Sequence, residues 1–344
     1  MRRFHIVLGS ATDVAATSRD VQQGLRPRHF MLELAARLDG ALYEPDATTA
    51  APALFHRIIN TPPALVALAD RVVAACQDED AIFCNAETIA LPVAHALLRA
   101  GKQTRLASFG HNLYRPRIAL TKTLSRSYRR VNRWFIISKD QCREPSRQSL
   151  YLEQVDDLFF SPAPADAVPA AARPLIVSVG LEQRDYVTLA EATRDMDVDV
   201  RISGASKDAR TLPGTFPEVM PANMSRQFYS WPDLRDLYRA ADLVVVPVRQ
   251  NAYAAGITSI LEALATGKPV IASRTSGLEG TLADDTVIRW VTPADPAELR
   301  NQIQTLLADP AGRRALAEKG AAMFRAHHRK NLRLDYMQAQ MRAL

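Results

Sequence analysis

Cysteine is scarce in this chain: Cys76, Cys84 and Cys142 are the only three among 344 residues. An odd number without metal-ligand spacing suggests neither a disulfide framework nor a zinc site, and it fits a reducing cytoplasm. Long apolar runs are lacking too. The opening MRRFHIVLGSATD sets two arginines before a run only as long as a strand, too short for a signal peptide, and no later run reaches membrane-spanning length. Acid is missing from one region. From His111 through Ser138 stand Arg115, Arg117, Lys122, Arg126, Arg129, Arg130 and Arg133, with no Asp or Glu. That segment also lacks aromatic-basic interleaving and any reader motif, so no nucleic acid partner is expected.

What is present is an ordinary globular composition, 47% hydrophobic and 23% charged, with a formal charge of +6. The length exceeds what one core usually organises and points to two domains. Short β-rich runs alternate with helical patterns along the whole chain, which predicts an α/β fold of parallel sheets with crossover helices. Strands are expected at 4–8, 81–84, 104–107 and 134–137, with helices over 27–38 and 89–100 between them. These form one doubly wound, Rossmann-like domain over residues 1–162. A second series, at 175–179, 198–202, 243–246, 270–272 and 287–290, forms another over residues 175–327. Between them the proline-rich, small-residue stretch 163–174 is expected to be the linker.

The stretch NAYAAGITSILEALATGKPVIAS, Asn251 to Ser273, combines a turn, a short helix and a buried strand. Ser259 and Glu262 have the S-x-x-E spacing of a capping box, Gly267 stands where a helix ends, and Pro269 cannot continue it. The small residues ahead, with Gly256, Ile257 and Thr258, leave backbone amides at the positive end of the helix, a geometry that receives phosphate. By itself the pattern also fits a plain capped helix after a turn.

The run Glu262-Ala263-Leu264-Ala265-Thr266-Gly267-Lys268-Pro269-Val270-Ile271-Ala272 resembles the donor-site motif of the retaining GT-B glycosyltransferases, especially family 4. There a Glu, seven residues and a second Glu precede such a run. Here Ala254 replaces the first Glu and cannot hydrogen-bond a sugar through its side chain. Further similarities are Arg28 and His29 ahead of a helix, the passage Val155 to Pro162, and Asp295-Pro296 opening a late helix. The resemblance implies two Rossmann-like domains facing across a cleft, with a final helix at about 328–344 packing back on the first. It also implies retaining, metal-independent transfer from a nucleoside diphosphate sugar, UDP- or GDP-linked, with no other cofactor.

For residues it implies the following. Gly180 ends a strand beside the diphosphate; Leu181 stands where the family carries an Arg, and Arg184 falls at the position of the family's Lys, which faces the diphosphate. The carboxylate of Glu262 takes the ribose hydroxyls, and Tyr253 joins the sugar pocket. His111, after a strand, orients the sugar or the acceptor hydroxyl; Gly9, Ser10, Arg28 and His29 line the acceptor side. Asp195-Met196-Asp197 looks like the D-x-D of a metal-dependent class, but its turn position speaks against that role. Lys122, Arg126, Arg129 and Arg133 recur at helical spacing opposite Leu120, Leu124, Tyr128 and Val131. This spacing predicts an amphipathic basic helix within 115–133, which either packs its apolar stripe on the domain core with its basic face in solvent or meets an anionic surface at the inner face of the cell membrane. The acceptor is expected to be a glycan, a lipid-linked saccharide or a small molecule. Two other readings stand beside the transferase: a nucleotide-sugar epimerase on the same fold, and a non-catalytic partner subunit, since Ala254 and Leu181 are both losses.

Overall fold

Alternation of apolar runs and helical stripes builds two parallel sheets, each covered on both faces. A computed structural model describes residues 2–164, 172–204 and 211–344, so part of the expected linker, 165–171, lies outside the described residues. The chain divides into two compact units. One holds residues 1–19, 28–151 and 333–344; the other holds 20–27 and 152–332.

In the first unit the elements run β1 (Phe4–Val7), α1 (Val14–Gln22), α2 (Phe30–Leu38), β2 (Ala41–Tyr43), α3 (Leu54–Ile58) and α4 (Pro63–Ala75). Then come β3 (Ala81–Cys84), α5 (Glu87–Ala100), β4 (Arg105–Phe109), α6 (Pro116–Leu124), α7 (Ser127–Arg130), β5 (Arg133–Ile136) and β6 (Gln148–Leu150). The six strands are all parallel, in the order β2-β1-β3-β4-β5-β6. Side chains alternate across a strand, so Ile82, Cys84, Leu106 and Trp134 pack one face while Ala81, Phe83, Ala107 and Phe135 pack the other.

The second unit continues with β7 (Leu175–Val179), α8 (Tyr186–Thr193), β8 (Asp199–Ser203), β9 (Met224–Arg226), α9 (Trp231–Ala240), β10 (Leu243–Val246) and α10 (Ile257–Ala265). It ends with β11 (Val270–Ser273), β12 (Arg289–Val291), α11 (Pro296–Ala308) and α12 (Pro310–His327). Its parallel order is β12-β11-β10-β7-β8-β9. Val177, Val244 and Val246 pack one face; Ile176, Leu243 and Val245 pack the other. Asp295 caps α11 by accepting from the Glu298 amide at 2.8 Å. Val155, Phe159 and Phe160 join this unit's core. The last helix, α13 (Lys330–Ala343), puts Leu334, Met337 and Met341 into the core of the first unit beside Ile6, Phe83 and Phe135.

The order of strands reverses between β1 and β3 in the first sheet and between β7 and β10 in the second. Loops leaving the carboxyl ends of the strands at such switch points diverge and leave a crevice for ligands.

One expectation fails here. The basic segment is not a single amphipathic helix: α6 ends at Leu124, Ser125 is extended (φ −139°, ψ 154°), α7 is one turn, and Arg133 already belongs to β5. Its polar side chains have separate tasks. Lys122 pairs with Glu144 at 3.2 Å and lies over the rings of Tyr114 and Tyr128, while Arg130 donates to the carbonyls of Lys102 and Thr104. Tyr128 and Val131 are buried, and Arg115, Arg117, Arg126 and Arg129 remain exposed. No described helix is long and apolar enough to cross a membrane.

Candidate functional site

At the switch point of the second unit, β7 runs into Gly180, whose φ of +105° suits glycine. A Cβ there would lie 2.4 Å from Nη2 of Arg184, so the missing side chain is what lets the guanidinium fold beneath the turn. Arg184 is 3% exposed. Its Nε donates to the Val179 carbonyl, Nη1 to the Glu182 carbonyl and Nη2 to Ser259 Oγ, each at 2.9 Å. The backbone is stitched across as well: the Asp185 amide donates to the Pro247 carbonyl at 3.0 Å and the Arg249 amide to the Gln183 carbonyl at 2.9 Å. The loops after β7 and β10 therefore form one rigid piece, with a buried cation inside it.

The expected capping box does not form. Helix α10 starts at Ile257, with Gly256 as its N-cap at φ +96°, and no side chain caps that end. Positive φ selects glycine at this position, which places Ser259 one turn too far in to cap. Its hydroxyl instead donates to the Val179 carbonyl at 3.1 Å while accepting from Arg184. Glu262 points away from the cap, and its Oε2 accepts from the Tyr238 hydroxyl at 2.8 Å. The far end closes as the spacing predicts: Gly267 has φ +74°, and the Lys268 and Gly267 amides reach back to the Ala263 and Leu264 carbonyls.

Glu262 is 6% exposed. Burial pushes its carboxyl up to about 7, against the Tyr238 hydrogen bond and the Arg184 charge, which pull it down. Burial also drives the Tyr238 hydroxyl upward, with the Glu262 charge adding to the effect. Ahead of the helix, the Gly277 amide donates to the Asn251 carbonyl at 3.0 Å, and the Tyr253 amide donates to Asn251 Oδ1 at 3.2 Å. The hydroxyl of Tyr253 donates to the Glu182 carboxylate. Ala254 is half-buried, Thr258 is exposed on the first turn of α10, and Leu181 is buried at 6%.

The first unit gathers a second group of residues at its own switch point. Asn85, just past β3, accepts the Gly9 amide on Oδ1 at 2.8 Å, and its carbonyl lies 3.1 Å from Nε2 of His111. Glu87, 2% exposed, accepts the amides of His111 and Asn112 on its two carboxylate oxygens. Gln141 donates to the His111 carbonyl at 2.9 Å. Gly9 and His111 are thus joined through Asn85; His111 and Ser10 are exposed. Arg28 pairs with Glu33 at 3.5 Å, and His29 precedes α2 as its N-cap residue. Sequence reading missed Asn85, Glu87, Glu182 and Tyr238. Asn85 and Glu87 carried a signal, since a polar pair directly after a buried strand at a switch point faces the ligand side of an α/β sheet.

Asp195 lies in a turn with φ +62°, and Asp199 on β8 pairs with Arg173. No group of three or more His, Cys, Asp or Glu among the described residues is placed to hold a metal ion.

Two six-stranded parallel sheets in this order are the fold of the GT-B glycosyltransferases. Solved structures agree. Sucrose-phosphate synthase from Thermosynechococcus elongatus superposes with a TM-score of 0.69 at 18% identity, covering 99% of both chains. Trehalose 6-phosphate synthase from Burkholderia multivorans gives 0.73 at 14%, covering 100% of this chain and 99% of that one. Anabaena HepE, solved with UDP and glucose, gives 0.70 at 14% over the whole of both chains.

Residues 184–339 match the family model described as Glycosyl transferase-like. Among curated relatives, D-inositol 3-phosphate glycosyltransferase of Corynebacterium kroppenstedtii is 38% identical over 86 residues, 25% of this chain and 18% of that protein. The Xylanimonas cellulosilytica protein of the same name is 30% identical over 191 residues, 48% of this chain and 43% of that one. The chain spans about a fifth of the length of the first curated relatives it matches.

Proposed function

We propose that this chain is a glycosyltransferase that moves a sugar from a nucleoside diphosphate sugar to an acceptor hydroxyl, with retention and without a metal. The observation that carries the reading is the piece formed by Gly180, Arg184, Gly256 and Ser259, at the switch point of a glycosyl transferase-like domain. In this reading the diphosphate sits on the amides of Gly256, Thr258 and Ser259, at the positive end of α10, while the Ile257 amide turns back to the Ala254 carbonyl at 3.2 Å. Gly180, by lacking a side chain, leaves the room beneath the turn that Arg184 fills. Arg184 acts from beneath the turn as a positioning residue whose buried charge favours the departing diphosphate. Glu262, with one oxygen held by Tyr238, offers its other oxygen to the ribose. Tyr253, braced by Glu182, borders the sugar in place of the carboxylate that Ala254 lacks.

Chemistry then follows a front-face course. The bond from the anomeric carbon to the diphosphate oxygen breaks, the acceptor oxygen bonds on the same face, and its proton passes to the leaving diphosphate. His111, held at Asn85, orients the acceptor, with Gly9, Ser10, Arg28 and His29 along the acceptor side. That HepE is solved with UDP and with UDP-glucose supports a uridine donor over a guanosine one. The name shared by the curated relatives supports a small-molecule acceptor. Calorimetric titration with UDP, GDP and their sugar conjugates tests the reading. Tight binding of one diphosphate, lost in Gly256→Val, is expected; no binding across the set would overturn it. Ala254 and Leu181 favour a second reading, a partner subunit without catalysis, which predicts that flat response.

A further inference from the structure

A groove on the first unit serves none of these roles. Its volume is about 450 Å³, and α3, α5 and the α6–α7 corner form its walls. Leu54, Ile58, Leu98 and Leu120 line it while remaining 73%, 38%, 38% and 42% exposed. Isolated apolar side chains on a surface are ordinary, but four around one concave site are a patch. Phe55 forms part of the wall and stacks on His95 with ring centroids 4.5 Å apart. Ser127, 1% exposed, also lines the groove, and its Oγ has no hydrogen-bond partner among the described residues.

The rim is basic. Arg99 and Arg126 line the groove, and Arg57 is exposed on α3 beside it. Asp70 lies 3.9 Å from Arg99, which keeps 60% of its side chain in water. The exposed Arg115, Arg117 and Arg129 belong to the same acid-free segment. Leu98 is eleven residues along α5 from Glu87, about 16 Å at a helical rise, so the groove and the His111 loop lie at opposite ends of that helix.

We infer that this groove docks the first unit on an anionic lipid bilayer. Leu54, Ile58, Leu98 and Leu120 enter the acyl boundary, and the arginines meet lipid phosphates. Charge complementarity selects this occupant: an apolar floor within a cationic rim matches the interface of a negatively charged membrane. The contact replaces the continuous basic helix that the residue spacing predicts. It involves residues of the first unit alone and is independent of the nucleotide reading.

Sedimentation of the full chain with phosphatidylglycerol–phosphatidylcholine vesicles, and with phosphatidylcholine alone, tests it. Binding is expected only to the anionic vesicles. Leu54→Ser with Ile58→Ser should weaken it roughly tenfold or more, since two exposed apolar side chains leave the lipid. Arg99→Gln and Arg126→Gln should each weaken it about fivefold. All four positions are at the surface, and circular dichroism confirms that each variant is folded. Equal pelleting with neutral vesicles, no pelleting with anionic ones, or anionic binding that the serine pair leaves intact would each overturn the inference. So would a dimer in light scattering that the serine pair dissociates, because a second copy would then occupy the groove.

Discussion

Replacing Glu262 with Gln should make the chain more stable at alkaline pH and leave it little changed in acid. In the folded chain the Glu262 carboxyl keeps its proton up to about pH 7, whereas its ordinary value is 4.5. Below both values the folded and unfolded states are protonated alike, and this group adds no pH dependence. Between them the folded state holds the extra proton, so stability falls as pH rises through that window. At about 1.4 kcal/mol per pH unit, the loss sums to about 3 kcal/mol by pH 8. Glutamine keeps an acceptor for the Tyr238 hydroxyl and has nothing to ionise. Urea unfolding at pH 5 and pH 8, followed by the fluorescence of Trp231 and Trp290 in the second unit, measures this directly. The natural chain should lose stability between the two values and Glu262→Gln should not. Equal slopes in both proteins would refute the reasoning.

Gly256→Ala forces a side chain to φ +96°, with its Cβ 3.0 Å from Val246 Cγ1 and 3.1 Å from Val248 Cγ2. It should cost about 1–3 kcal/mol in the same urea assay. Arg184→Met removes the donors to the Val179 and Glu182 carbonyls and to Ser259 Oγ, and should cost about 3 kcal/mol or more. Arg184→Lys, with three donors on a shorter reach, should recover only part of that loss. Glu87→Ala leaves the His111 and Asn112 amides without their carboxylate. Hydrogen exchange at those two amides should quicken by about tenfold, while the amides of β3 and β4 stay protected.

Much of this architecture was legible because burial on both faces writes itself as unbroken apolar runs. LVVV at Leu243–Val246 and AIFC at Ala81–Cys84 are such runs. The short strands β2, β6 and β9 were not legible. Each has three residues, and MSR at Met224–Arg226 ends an edge with two of its residues exposed, so no apolar pattern marks it. Spacing misled where one glycine outweighed a motif. Ser259 and Glu262 stand three apart as a capping pair does, yet the positive φ of Gly256 starts the helix earlier and turns both side chains inward. Arg184 is the same lesson in reverse. The resemblance implies a cation facing the diphosphate, but the bare turn at Gly180 gives the guanidinium room to fold beneath. The basic segment kept its helical spacing through a break that the extended Ser125 imposes.

The most direct measurement is the anomeric configuration of the product, read by proton NMR after the chain is incubated with UDP-glucose and a panel of polyol and sugar acceptors. A new glycosidic bond with the donor's anomeric configuration is expected, formed with a chelator present and lost in Gly256→Val. An inverted product, or a UDP-glucose signal unchanged alongside no calorimetric binding of any nucleotide, would contradict it.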